Sequence, residues 1–235
     1  MINFDNLPLS ETSLKLLSKL NIDFAFQPIF NLKTNEIIAR EALMRPIDLT
    51  PLDLIDTYES HGFLHVIELA TFFGATMRYY ERGYNEGLSI NSFPTECFTQ
   101  EEFSAYLNYF PSDLTSKLII EVLEYPRFTP HIWHAKKTNI NKHGIKLAVD
   151  DYGSGYNDIT TIDLIQPDYI KLDRILIENI DRMPVKQQRL SSLINIFHNE
   201  NIKVLAEGIE TKEEYDYLIN AGIDYGQGYY MARPS

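Results

Sequence analysis

The chain has 235 residues, 44% of them hydrophobic, and a formal net charge of −12 from 33 acidic against 21 basic side chains. That length suits one large domain or two small ones with a sizeable core, and the acidity argues against a long nucleic-acid track, which needs basic grooves to displace counterions. The lone cysteine, Cys97, excludes an intramolecular disulfide and a cysteine-rich zinc site. No apolar run approaches the ~18 residues of a membrane span, and the first ten residues, Asp5 among them, lack the basic-then-apolar layout of a secretory signal. A soluble cytoplasmic protein is expected.

In chain order, an N-terminal segment, 1–22, carries a short helix over 11–17 and precedes a main domain over 23–235. Residues 23–29 and 36–43 read as two strands around a turn at 31–35, the pattern of a hairpin. Residues 51–80 are mostly helical, with Pro51 suited to a first helical turn and His61-Gly62 at a helix boundary. Strands then follow at 88–91, 118–123, 146–150, 169–172, 203–206 and 225–229, separated by helices at 101–109, 130–143, 159–165, 184–199 and 212–221. In the fourth of these helices Leu190, Leu193, Ile194 and Phe197 form one apolar face.

Eight strands, most separated by helices, in a chain near ~250 residues predict an α/β fold of the (β/α)8 TIM-barrel type. In such barrels the C-terminal ends of the strands carry the chemistry. Glu41, Asn91, Glu121, Asp150, Lys171, Glu207 and Gln227 fall at or near the C-terminal ends of seven separate predicted strands. Chance explains one polar residue at the start of a loop and explains seven poorly. A buried charge costs several kcal/mol unless it is paired or binds metal. Carboxylates at Glu121, Asp150-Asp151 and Glu207 share a sign, so a divalent cation is the economical partner. The pairs His131/His134 and His61/His65 have no third ligand nearby and read as helix surface.

Arg40-Glu41-Ala42-Leu43-Met44-Arg45 contains a Glu-Ala-Leu tripeptide, weak by itself but accompanied by an ordered set of motifs. The set comprises Phe26-Gln27-Pro28-Ile29, Ser89-Ile90-Asn91, Glu121-Val122-Leu123-Glu124, Asp150-Asp151-Tyr152-Gly153-Ser154-Gly155-Tyr156, Lys171-Leu172-Asp173, Glu207-Gly208-Ile209-Glu210 and Gln227-Gly228-Tyr229. Together these resemble the EAL-domain cyclic di-GMP phosphodiesterases over nearly the whole chain, from about residue 24 to 234.

The resemblance implies a modified barrel with an antiparallel first strand, and metal-dependent hydrolysis of cyclic di-GMP to linear 5'-pGpG. It implies Glu41, Asn91, Glu121 and Asp150 as ligands of a first Mg2+ or Mn2+. Asp150 would bridge to a second ion held by Asp151 and Glu207. Lys171, Glu207 and Gln227 take the catalytic roles, and Gln27, Leu43 and Arg45 line the substrate mouth, the guanidinium fork suiting a phosphate. By the same resemblance, residues 151–158, with Gly153 and Gly155, form a loop linking metal occupancy to a homodimer. Glu124 anchors that loop, and Glu210 buttresses Lys171 or Glu207.

The sequence departs from the family pattern in a shorter segment over 46–51, in Tyr152 where Phe is commoner, and in stopping just after the last strand, where family members add a helix. Residues 11–20 are expected to cover part of that gap.

Overall fold

The structure, a computed structural model, describes residues 1–124, 129–155 and 159–235. Helix α1 (Glu11–Leu17) leads into strands β1 (Ile22–Asn31) and β2 (Ile37–Pro46), then α2 (Pro51–Ser60), α3 (Leu64–Glu81) and β3 (Gly87–Ser92). Next come α4 (Gln100–Tyr109), α5 (Leu114–Lys117), β4 (Leu118–Val122), α6 (Pro130–Lys142), β5 (Lys146–Tyr152) and α7 (Ile159–Ile165). The chain finishes with β6 (Tyr169–Leu172), α8 (Arg174–Ile177), α9 (Pro184–Asn199), β7 (Lys203–Ala206), α10 (Lys212–Ala221) and β8 (Tyr225–Gly226).

The eight strands close into one barrel in sequence order. β1 runs antiparallel to both neighbours, β2 and β8, and every other pair is parallel. The expected barrel with a reversed first strand is therefore the observed one. Among the described residues no helix is long and apolar enough to cross a membrane.

Two layers of core follow from the alternation of side chains along a strand. Outward-facing strand residues pack against the helices, most heavily against α3, whose Phe72 and Phe73 meet Tyr106 edge-on. Ile2, Phe4, Leu7 and Leu17 join the same core from the N-terminal segment. Inside the barrel, Ile29, Ala39, Ile119, Ala148 and Leu205 form a separate apolar plug, with Tyr169 and Tyr225 packed on it. This plug is the floor of the site described below.

At the opposite, N-terminal face one clasp occurs twice. Asp168, just before β6, accepts the Leu147 amide at 3.0 Å and pairs with Lys146 at 2.6 Å. Asp224, just before β8, accepts the Val204 amide at 3.0 Å and pairs with Lys203 at 2.9 Å. Each clasp ties the start of one strand to the start of the next.

Four details differ from the sequence reading. The helical stretch 51–80 is two helices, broken where Gly62 adopts φ 74° and Phe63 bonds back to the Tyr58 carbonyl. β2 extends to Pro46, so Glu41 lies within the strand, not at its end. β5 extends to Tyr152 with a register shift after Val149. β8 is only two residues long, because the chain beyond it turns to bond the β7 loop: the Ile209 amide donates to the Gln227 carbonyl and the Tyr230 amide to the Ile209 carbonyl, both at 3.0 Å.

Candidate active site

Two residues towards the barrel mouth from each floor position stands a polar side chain. Ala39 is followed by Glu41, Ser89 by Asn91, Ile119 by Glu121, Ala148 by Asp150, Tyr169 by Lys171, Leu205 by Glu207 and Tyr225 by Gln227. On the reversed β1 the step runs backwards, from Ile29 to Gln27. A period of two keeps each pair on the same face, so all eight strands deliver one residue to a single ring above the plug.

Lys171, 1% exposed, is the centre of that ring. Its ammonium lies 2.8 Å from Glu121, 2.8 Å from Asp150, 2.9 Å from Glu207 and 3.6 Å from Glu41. Ser89 donates to the other oxygen of Glu121, Asn91 donates to Glu41 at 3.2 Å, and Gln227 donates to Glu41 at 2.7 Å. Asp151 joins from the next position. Neighbouring strand residues point to opposite faces, but Asp151 has φ 49°, a left-handed conformation that Asp tolerates. With the register shift in β5, this brings carboxylate oxygens of Asp150, Asp151 and Glu207 within 4.8 Å of one another.

The electrostatics follow from burial. Burial pushes Glu121 up to about 8, helped by Glu41 and Asp150 and opposed by Lys171. Burial and the Asp150 charge raise Asp151 to about 6. Glu207 is raised well above the carboxylate range by burial, against the pull of Lys171. Burial disfavours the Lys171 ammonium, yet Asp150, Glu121, Glu207 and Glu41 outweigh it and hold the proton more firmly than usual. Five carboxylates against one ammonium leave four negative charges uncompensated when all are ionised.

The donor set fits divalent cations. It is all oxygen, it carries the charge that two such ions cancel, and it keeps acceptors in reserve. Among the described residues, Asn91 Oδ1 and Gln227 Oε1 are buried without a hydrogen-bond partner, a costly state for an amide oxygen.

A cleft of about 410 Å³ opens over the ring, lined by Gln27, Glu41, Leu43, Asp150, Asp151, Lys171, Glu207, Glu210 and Gln227. Gln27 also donates to the Ala232 carbonyl at 3.2 Å. Beside it, a more apolar hollow of about 250 Å³ shares Glu41, Leu43 and Asp150 and adds Arg45, Asn91, Phe93 and Leu123. Arg45 lies on this second hollow, where its guanidinium donates to the Met44 carbonyl at 3.0 Å.

Glu124 accepts the Ser154 hydroxyl at 2.6 Å, and Gly153, at φ 107°, packs on Leu176 of α8. Gly155 follows near Glu124, and residues 156–158 of the expected loop lie outside the described residues. Of the two partners expected for Glu210, Lys171 or Glu207, it bonds neither directly among the described residues: its carboxylate pairs with Arg174 at 2.9 Å. Arg174 also donates to the Gly208 carbonyl and so fixes the loop after Glu207. Sequence reasoning missed Arg174 and Ser89. Ser89 had a signal, its position two residues before Asn91; Arg174 had none for its hold on the loop after Glu207, because Gly208 and Glu210 are 34 and 36 residues away.

Comparison with known proteins agrees with this geometry. The EAL domain family model matches residues 11–234. The probable cyclic di-GMP phosphodiesterase PdeG of Escherichia coli K12 is 25% identical over 223 residues, covering 89% of this chain and 44% of that protein. The chain thus spans less than half of that relative's length. Among solved structures, a standalone EAL protein from Vibrio cholerae O395 in its c-di-GMP-bound form matches with a TM-score of 0.82 and 28% identity, over 92% of this chain and 93% of that one. The manganese and cyclic di-GMP complex of Klebsiella pneumoniae BlrP1 matches at 0.75 and 25% identity, over 92% and 56%.

Proposed function

The chain belongs to the EAL domain family, and on that premise we propose that it hydrolyses cyclic di-GMP to linear 5'-pGpG with two divalent cations, Mg2+ or Mn2+. The observation that carries this reading is the ring itself, five carboxylates around one ammonium with two amide oxygens unpartnered among the described residues, at the floor of a cleft. Glu41, Asn91, Glu121 and Asp150 hold the first ion; Asp150, Asp151 and Glu207 hold the second. When bound, such ions neutralise the phosphate and lower the pKa of water at neutral pH.

The chain's own groups do the rest. Lys171, kept protonated by its four carboxylate neighbours, presents fixed positive charge where negative charge grows on the phosphate. Glu207, at the rim of the ring, accepts a proton or a cation, and Gln227, whose amide nitrogen holds Glu41, orients water or substrate through its amide oxygen. Gln27 and Leu43 wall the cleft, and Arg45 binds a substrate phosphate from the second hollow. The reaction belongs to a cytoplasmic setting in this reading.

Incubation of purified protein with cyclic di-GMP and Mn2+, with and without chelator, tests it. Chelator-sensitive pGpG is expected. Tight binding without product would make the chain a receptor, and neither would leave it an interaction protein.

Arg45→Ala is expected to raise KM about tenfold while kcat stays within about twofold, in keeping with loss of a charge-assisted bond outside the ring. Glu124→Ala is expected to lower kcat roughly tenfold with an unchanged unfolding midpoint, since it frees Ser154 without touching the core. A homodimer through the loop after Asp151 is part of the same proposal. Leu164 on α7 and Ile175 on α8 supply exposed apolar surface beside that loop, and light scattering should report twice 27.3 kDa.

A further inference from the structure

Outside the ring, the most deeply buried charge pair among the described residues is Glu68 of α3 with Lys136 of α6, 1% and 6% exposed. The Lys136 ammonium donates to Glu68 Oε1 at 2.7 Å and to the carbonyls of Phe93 and Glu96, each at 2.8 Å. All three of its protons are used. Glu68 Oε1 also accepts the Ser92 hydroxyl at 2.6 Å, and its Oε2 accepts the Phe93 amide at 3.1 Å.

Apart from the bond between the two partners, every contact in this network falls on residues 92–96, directly after Asn91. Phe93 is gripped at both its amide and its carbonyl. A buried ion pair adds little net stability over a well-packed apolar pair. What it does supply is one defined arrangement, here imposed on the chain leaving β3.

We propose that Glu68 and Lys136 form a clamp that positions Asn91 as a cation ligand. The clamp acts through the backbone. Ser92 and Asn91 are strand neighbours and point to opposite faces, so the Glu68 carboxylate, bonded to Ser92, faces away from the ring. Asn91 Oδ1 meanwhile stays buried with no partner, an orientation that nothing on its own side chain's acceptor end enforces. The Ser92 carbonyl accepts the Leu123 amide at 3.1 Å, which carries the same restraint to the strand bearing Glu121. Phe93, Asn91 and Leu123 then line the second hollow together. Glu68 and Lys136 are positioning residues, and their role rests on the cation-dependent reading above.

The test is Mn2+ titration calorimetry on the full chain for wild type, Glu68→Gln, Lys136→Met and the milder Ser92→Ala, with thermal unfolding recorded for each. Partners of metal ligands typically shift affinity 10- to 100-fold. A loss of about tenfold in Mn2+ affinity is expected for Glu68→Gln and Lys136→Met in protein that still unfolds cooperatively, and a smaller loss for Ser92→Ala. In the background of Asn91→Ala, Glu68→Gln should add less than twofold, because the two act as one unit.

A pair that only stabilises the fold would lower the unfolding midpoint and leave the affinity of folded protein unchanged; that result overturns the clamp. So does full additivity with Asn91→Ala. Should the buried variants not fold, Ser92→Ala decides alone, and wild-type affinity there overturns the clamp. Wild-type protein that binds Mn2+ without hydrolysing cyclic di-GMP removes the phosphodiesterase reading and leaves the clamp to these variants. Wild type that binds no Mn2+ removes both.

Discussion

Asp150→Ala is expected to lower hydrolysis of cyclic di-GMP by about 10³-fold or more in saturating Mn2+. Asp150 stands beside Lys171, at 2.8 Å, and, like Glu207, also belongs to the close group of carboxylates that Asp151 completes. Its removal takes a ligand from both proposed ions, and metal catalysis is worth several kcal/mol at the phosphate; each 1.36 kcal/mol is tenfold in rate. The fold should survive, because the change removes a buried negative charge from a site that has too many. Steady-state turnover and a thermal melt on the same sample separate the two effects. Turnover within tenfold of wild type would sink the ligand assignment.

The second large effect belongs to Lys171→Met. Removing one partner of a buried charge network costs about 3–5 kcal/mol, which for a chain of this size lowers the unfolding midpoint by roughly 10 °C. Here the orphaned partners are Glu121, Asp150 and Glu207.

The pH dependence has a definite sign. Glu121 is raised from 4.5 to about 8, so the native state holds this proton more tightly than the unfolded chain. The resulting stabilisation is full below about pH 4.5 and lost as pH rises through about 8. Metal-free Lys171→Met should therefore melt closest to wild type near pH 6 and furthest from it near pH 9, and Mn2+ should recover part of the loss at the higher pH. Equal midpoints for variant and wild type at pH 9 would show that the ammonium is not what neutralises the ring.

Much of this architecture was legible from the chain because it depends on short-range periodicity. The helix and strand pattern sets the barrel, and polar residues at the ends of apolar runs pick out seven of its eight strands. The eighth, β1, contributes Gln27 from mid-strand, which end-of-strand reasoning passes over because β1 runs backwards.

Other features depend on where the chain turns. Asp151 reaches the ring only through its left-handed backbone, and Glu210 pairs with Arg174 rather than the ring because of the turn after Glu207. His65 was read as surface beside His61; it lies between Glu96 and Glu102, which raise it to about 9. Its partners are more than thirty residues away, beyond the reach of any local pattern. The buried pair of Glu68 and Lys136 was invisible for the same reason.

The paired clasps on the N-terminal face bear on how such a chain can change over time. Asp168 and Asp224 fasten strand to strand at the end of the barrel farthest from the carboxylates. The fold's fastenings and its acidic ring are thus spatially separate, and the ring is a standing cost to the metal-free protein. A lineage released from the need for turnover could shed the carboxylates in excess of those that pair Lys171 and gain stability, ending as an intact barrel with a cleft but no chemistry.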